Sequence, residues 1–361
     1  MTKASLKDNQ GVAIIITLTV IVLLITAALE INRKAVSAME YSGVTRDRIT
    51  LSHMASSGIH GAMAILIKDK KAQGNNNNVD SVQDDWADPE VVAEVITDIP
   101  FDDGTLMVTI SDELGRIQVN SLVNYPVGHG MNNIQYEMWE RFLGYISPAE
   151  SEDDDTAPRS IISSIIDWID FGDDDLITGV NGAESDYYKD LDTPYACTNS
   201  PMAHVKELLL VKGVPELVDS IGGFDAISGY LTVHGMVEDS TKKKYTFPGK
   251  ININTADLAV IAAILKEDSM HLAENVMAHR EEVKDDGTYL YNLSKLDWYK
   301  DVEGIEPDDI KKELITTHSD FFRIEAVAEI NKVKLTTTAV VFREKIKSGK
   351  YRCRVLSWET E

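Results

Sequence analysis

"NQGVAIIITLTVIVLLITAALEINRKAV", Asn9 to Val36, carries no charge before Glu30. Val12–Leu29 is an 18-residue run broken only by three threonines. At about 1.5 Å of rise per residue it spans roughly 27 Å, close to one bilayer core. Lys3 and Lys7 precede the run and belong on the cytoplasmic side, although Arg33 and Lys34 beyond it blur that asymmetry. A cleaved secretory signal has a shorter apolar core and small residues at its cut, and "ITAAL" near Ala28 offers such a cut. The length of the run weighs against that reading, and so does the helical pattern beyond it. No proline occurs before Pro89, and Ile31, Ala35, Met39, Ile49, Met54, Ile59, Met63 and Leu66 recur at mostly helical spacing. The pattern predicts one helix from Val12 to about Lys70. Its first part lies in lipid and its second part packs one face on a domain.

Composition sets the outer limits. The chain has 361 residues, 43% apolar and 26% charged, enough for one large domain or two to three modest ones. A formal net charge of −24 repels nucleic acid unless a basic face is segregated, and the one compact basic cluster is Lys242–Lys244. Cys197 and Cys353 are too few for a disulfide scaffold and have no zinc spacing. One long-range disulfide or two unpaired thiols both fit the sequence.

"GNNNN" at Gly74–Asn78 ends the helix, and a shorter helix is expected around Pro89–Thr97. Thr105–Ile110 and Ile117–Leu122 read as two strands joined by "SDELGR". Near the other end, "FFRIEAVAEI", "KLTTTAVVFRE" and "YRCRVLSWE" alternate apolar and polar residues. Together these segments predict an antiparallel sheet with one face packed on the long helix. The middle, 125–320, reads as a mainly helical insertion into that sheet. "IQYEMWERFLGYI" and "RSIISSIIDWID" are amphipathic helices within it. "MAHVKELLLVKGVPELVDSI" and "INTADLAVIAAIL" with "AENVMAHREE" resemble helix-hairpin-helix units, the second capped by Asn254 or Thr255. Acidic surroundings favour packing or protein contact for both units. His234, and His271 and His279 on one helix, read as structural.

Asp167–Asp192 holds nine carboxylates and one lysine in 26 residues. Such a density needs solvent or a cation. Calcium takes six to eight hard oxygens, and Asp173, Asp174, Asp175, Glu184 and Asp186 form the ligand pool. Glycines at 172, 179 and 182 let the loop wrap. The spacing departs from an EF-hand, and a solvated acidic loop fits it equally well.

A short polar leader ending in Gly11, an apolar start at Val12 and a long helix resemble a type IV pilin-like N-terminus. That class implies cleavage between Gly11 and Val12 by a prepilin peptidase and retention of the apolar helix. Such proteins usually carry glutamate at the fifth mature position, which here is Ile16. With "IIDWIDFGDDD", "GAESDYY", "ELLLVKGV" and "ININTA", nearly the whole chain resembles the K-type minor pseudopilins of type II secretion systems.

The resemblance implies an α+β, type IV pilin-like fold with a large, mainly α-helical insertion. Its expected layout is a leader at 1–11, a membrane and filament helix at 12–29, and the rest of the helix with the first sheet strands at 30–124. The insertion follows at 125–320 and the last sheet strands at 321–361. It also implies a single-pass inner-membrane protein with a periplasmic body, placed at the pseudopilus tip. Its implied partners are I- and J-type minor pseudopilins, the peptidase and secreted substrates, with no nucleic acid. Calcium in the insertion is implied as well, with Asp170, Asp173, Asp174, Asp175, Glu184 and Asp186 matching the acidic segment.

Two other functions compete with this one. A DNA-handling pilin-like protein draws on the helix-hairpin-helix look but needs a basic groove. A metallohydrolase needs a nucleophile or an open metal position with a base. The sequence offers no HExxH, GxSxG or phosphate-binding loop, and the chain is expected to be non-enzymatic.

Overall fold

The computed structural model describes residues 10–74, 78–97, 99, 101, 103–147, 155–172, 178–179, 181–239, 244–331 and 333–361. Most of the expected leader, residues 1–9, lies outside the described residues. Helix α1 (Gln10–Gln73) is continuous for 64 residues, a length of roughly 95 Å. Val12–Leu29 stands exposed, the state of an apolar helix awaiting lipid or neighbouring helices. From Leu51 onward one face is buried: Leu51, Met54, Ala55, Ile59, Ala62 and Leu66 show no exposure. The helix ends at Gly74, in the left-handed region at φ 70°, a few residues beyond the sequence estimate.

Helix α2 (Pro89–Thr97) and strand β1 (Thr105–Asp112) follow as expected. Gly58 lets β1 approach α1 closely, because a Cβ there would come within 2.8 Å of Val108 Cγ2. The next expected strand is not a sheet partner. Glu113–Gly115 is a 3-10 turn, and β2 (Ile117–Gln118) pairs in parallel with the short β3 (Leu231–Thr232) instead. Val119–Leu122 is a second 3-10 turn. The sequence "IQVNSL" alternates, but its polar side chains do not face water. Asn120 is wholly buried, giving a hydrogen bond to Met202 O (3.0 Å) and accepting one from Met202 N (2.8 Å). Buried amides clasping another loop carry the same period-two signature as a solvated strand face. Before residue 124 the main sheet therefore has one strand.

The insertion runs through α3 (Asn133–Ile146), α4 (Pro158–Ile169), α5 (Ser185–Lys189), α6 (Val214–Ser220) and α7 (Asp225–Ser228). The hairpin β4 (Val237–Asp239) and β5 (Lys244–Thr246), then β6 (Ile251–Asn252), α8 (Leu258–Ile264) and α9 (Ala273–Glu281), complete it. Its own core is built on Trp139, Phe142, Trp168, Tyr188 and the buried face of α8. The cap of α8 differs from expectation. Asp257 occupies that position, while Asn254 accepts from Trp298 Nε1 (2.7 Å) and Thr255 donates to Asp112 (2.7 Å). Tertiary partners claim both side chains. His271 and His279 lie on separate elements, a 3-10 turn (Glu267–Leu272) and α9, with His279 stacked on Tyr291. Cys197 packs against the core of the insertion and Cys353 against the core shared with α1, so the two form no disulfide with one another.

Strand β7 (Ile315–Thr316) pairs with β6 and leads into β8 (Phe321–Ile330), β9 (Val333–Lys345) and β10 (Tyr351–Thr360). The sheet order is β1-β8-β9-β10, all antiparallel. Phe322, Ile324, Ala326 and Ala328 on β8 are fully buried in the core shared with α1, as the alternation requires.

Asp80 stitches the two cores together. It shows no exposure and binds Arg343 Nη2 of β9 at 2.5 Å. Its carboxylate also accepts from Ser319 N (3.0 Å), and its carbonyl accepts from Asn252 Nδ2 (2.9 Å) in the insertion. Arg343 further donates to Leu66 O of α1 (3.2 Å) and Ser319 O (2.9 Å). Removing one member of a buried ion pair strands the other charge. Arg343→Met should lower unfolding stability by about 3–5 kcal/mol. Urea unfolding of the detergent-solubilised chain, followed by tryptophan fluorescence, measures this.

Candidate functional site

Helix α4 opens with Pro158 and carries "SIISSIIDWI" entirely buried. A helix apolar on nearly every side belongs inside a core. It delivers Asp167 and Asp170 to the mouth of the acidic segment. Asp167 is fully buried, and its carboxylate accepts from Thr178 N at 3.0 Å. That bond ties the return of the loop to the helix end. Asp170 caps α4 through its backbone and is half-buried.

The far side of the segment is held by aromatic packing. Trp168 meets Tyr188 edge-on at 5.1 Å and Tyr195 at 6.0 Å, and Tyr188 stacks on Tyr195 at 5.3 Å. Tyr188 Oη accepts from Lys212 N (3.1 Å), and Asn181 Nδ2 donates to Ser160 Oγ (2.9 Å). Glu184 is buried at the N-cap position of α5. Asp186, just inside that helix, faces solvent and pairs with Lys189 at 3.1 Å. Asp173, Asp174 and Asp175 lie outside the described residues. The structure therefore draws the ends of the acidic loop together, with Asp170 and Glu184 on its inner side. These donors are carboxylate oxygens, the hard ligands that calcium selects.

Gly11 and Val12 lie in the first turn of α1, and Ile16 sits in its exposed apolar stretch. Glu30 is the first acidic residue along the helix. Gly213, the glycine of "VKGV", begins α6 with φ 80° and is buried. A Cβ there would stand 2.3 Å from Asp155 O, so this turn packs against the chain itself. The second unit is likewise buried along α8. Both act as packing modules rather than presenting amides to a phosphate backbone. His234 is partly buried with its pKa pushed down by desolvation, in keeping with a structural role.

One charged group escaped the sequence reading. Asp69, Asp80 and Asp84 place three carboxylates within 4.8 Å of one another, beside Lys70 and Arg343. The signal was available: Asp69 and Lys70 fall on the helical face that carries Leu66 and Met63. Charges on a core face are buried by a partner or not at all.

A long helix packed on a four-stranded antiparallel sheet, interrupted by a helical insertion, defines a pilin-like subunit with an added domain. Residues 115–220 match the family model described as "Type II secretion system (T2SS), protein K". The fold is similar to a chain in "The Crystal Structure of the GspK-GspI-GspJ complex from enterotoxigenic Escherichia coli Type 2 Secretion System". That match has a TM-score of 0.58 and 15% identity over 89% of this chain and 99% of the other. No curated protein sequence matches the chain. The likeness to that solved chain shows a pilin-like fold with a helical insertion, and the segment similar to the protein K family contains the whole acidic loop.

Asp167→Ala leaves the part-buried Thr178 amide without this acceptor, a loss of about 1–3 kcal/mol. Chemical denaturation of the full chain reads it, and unchanged stability would contradict the loop-closing role.

Proposed function

We propose that this protein is the tip subunit of a type II secretion pseudopilus and starts its assembly, with no catalysis of its own. One observation carries the reading: Ile16 stands where pilin-like subunits keep a carboxylate, and α1 offers none before Glu30. A buried carboxylate is held by a partner charge, here the terminal amine of a neighbouring subunit. A subunit without it has no such contact to make with a subunit above. The exposed apolar run Val12–Leu29 supports anchoring in the inner membrane before assembly and helix packing after it. On this reading the body faces the periplasm. A prepilin peptidase cuts between Gly11 and Val12, and I- and J-type minor pseudopilins bind alongside. Secreted proteins meet the tip during export.

Calcium belongs to the same proposal. Asp170, Asp173, Asp174, Asp175 and Glu184 would hold it, with Asp186 the weakest member because it faces solvent and Lys189. A bound ion neutralises the loop and pins a segment whose ends Asp167 and the Trp168–Tyr188 contact already bring together.

The test is purification of the tagged full-length chain from its native host in gentle detergent and calcium, with mass spectrometry of what accompanies it. Two further pseudopilins in near-equal amounts are expected; DNA or uptake proteins in their place overturn the reading. For the metal, Asp173→Ala with Glu184→Ala should lower Tm in calcium and leave it unchanged in chelator. An equal loss in both media refutes the calcium site.

A further inference from the structure

We propose that Asp69 and Asp84, crowded against Asp80, share one proton and form a pH-sensitive latch between the pilin-like half and the helical insertion. Local charge leads to this. Three carboxylates crowd within 4.8 Å. Two cations face them: Arg343, 2.5 Å from Asp80 and 3.5 Å from Asp69, and Lys70, 3.5 Å from Asp80. One negative charge is left over. Asp320 beside Arg343 adds to the excess, His318 stands near Asp320, and Asp112 faces Asp80 from the end of β1. Asp112 is separately satisfied by Asn252, Thr255 and the Leu114 amide.

The three carboxylates are not equivalent. Asp80 owns the best cation contact and has no exposure. Asp69 accepts from Gln73 Nε2 (3.1 Å), and Asp84 accepts from its neighbour Ser81 N (2.7 Å). Asp84, Gln73 and Ser81 also line an open polar pocket of about 350 Å³, together with Tyr289, Asn292 and Ser294 of the insertion. That pocket gives the proton a route to solvent. Burial first, then repulsion from Asp84 and Asp80, pushes the Asp69 carboxyl up to about 7; burial pushes Asp84 up to about 6. The two titrate as a coupled pair.

The sign comes from linkage. Both folded-state values lie above the ordinary aspartate value of 3.8. Between there and about pH 7 the folded chain holds a proton that the unfolded chain releases. Stability therefore falls as pH rises through this window and levels off above it. The parts strained are those that join the halves: Asp80 reaches β6 through Asn252, and the Asp80 amide donates to Thr317 O (2.9 Å) before β8. Rising pH loads this seam with an unbalanced charge.

The experiment is thermal and urea unfolding of the detergent-solubilised full chain between pH 5.5 and 7.5, in chelator and in calcium. For the wild type, the folding constant should drop roughly ten- to hundredfold across those two pH units beyond what the variants show, as one proton requires. Asp69→Asn and Asp84→Asn keep their hydrogen-bond acceptors and shed the surplus charge. Each should flatten the slope and unfold later than wild type at pH 7.5. Asp80→Asn should unfold earlier at both pH values, because it removes the nearest charge partner of Arg343. Three variants equally destabilised at every pH would mean ordinary structural residues and overturn the latch. An unchanged slope in Asp69→Asn and Asp84→Asn would place the proton elsewhere, at Asp112, and overturn it too. A calcium-dependent gain at pH 7.5 that Asp84→Asn abolishes would make the cluster a cation site instead. Infrared titration of wild-type chain labelled with 13C-aspartate needs no variant. It should show a buried carboxyl deprotonating near neutrality; loss of every such signal below pH 5 refutes the proposal.

Discussion

The ion pair between Asp80 and Arg343 is the contact on which both halves of the molecule depend. Neither side chain reaches solvent. Each charge is costly to bury, and their attraction offsets that cost only with good geometry and further hydrogen bonds. The structure supplies them: Arg343 reaches the Leu66 carbonyl on α1, and Asp80 takes the Ser319 amide and lends its carbonyl to Asn252. Phe322 covers the guanidinium at 4.6 Å, and Trp86 packs edge-on against Phe322 at 5.1 Å. One charged pair thus touches the long helix, the main sheet and the insertion. Hydrophobic contact alone would hold each core together but would not fix the angle between them, because apolar contact is non-directional.

That geometry explains how a sheet tolerates so large an interruption. β1 and β8 are neighbours in the sheet, and the entire insertion lies between them in sequence. The chain leaves at Asp112 and returns at Phe321, just after Thr316 and Thr317, which pair with Ile253 and Asp80. Exit and return points are therefore adjacent, and loop closure is completed by local contacts near Asp112 and Asp80. The insertion then needs its own core, which Trp139, Phe142, Trp168 and α8 provide. Its two hairpin-like units contribute buried apolar faces to that core, and the left-handed Gly213 fits against Asp155.

Much of this was legible in the residues. The long helix is written in an uncharged run followed by helical periodicity, and the strands β8 to β10 in clean alternation. The pilin-like class and the insertion followed from those patterns, and the resemblance to the protein K family from "DWID" and "GAESDYY". Ile117–Leu122 misled because burial of Asn120 on a hydrogen-bonded clasp reproduces the alternation of a half-exposed strand. The α8 cap misled for a related reason: Asn254 and Thr255 have cap chemistry, but Trp298 and Asp112 claim them. Burial of Lys70 and part-burial of Asp69 were readable from the helical face they share with Leu66, but only the fold sets Asp69 beside Asp84. The acidic loop was the opposite case, visible as composition. Nothing in its spacing distinguished Glu184, which turns inward, from Asp186, which turns to water.

Under the proposed calcium and shared-proton readings, the two acidic groups meet the same electrostatic problem by different means. The sequence from Asp170 to Glu184 is rich in carboxylates, which can gather as hard-oxygen donors around a divalent ion. The cluster at Asp80 is already served by Arg343 and Lys70, so only a single charge is left to balance, and one proton suffices. Location decides which solution is open. Calcium needs six to eight oxygens; a packed seam between a helix and a sheet cannot open to supply them without losing Phe322 and Leu66 from its core. With a cation at the loop and a proton at the seam, as proposed, the rigidity of the insertion and its attachment to the pilin-like half would answer to the surrounding medium.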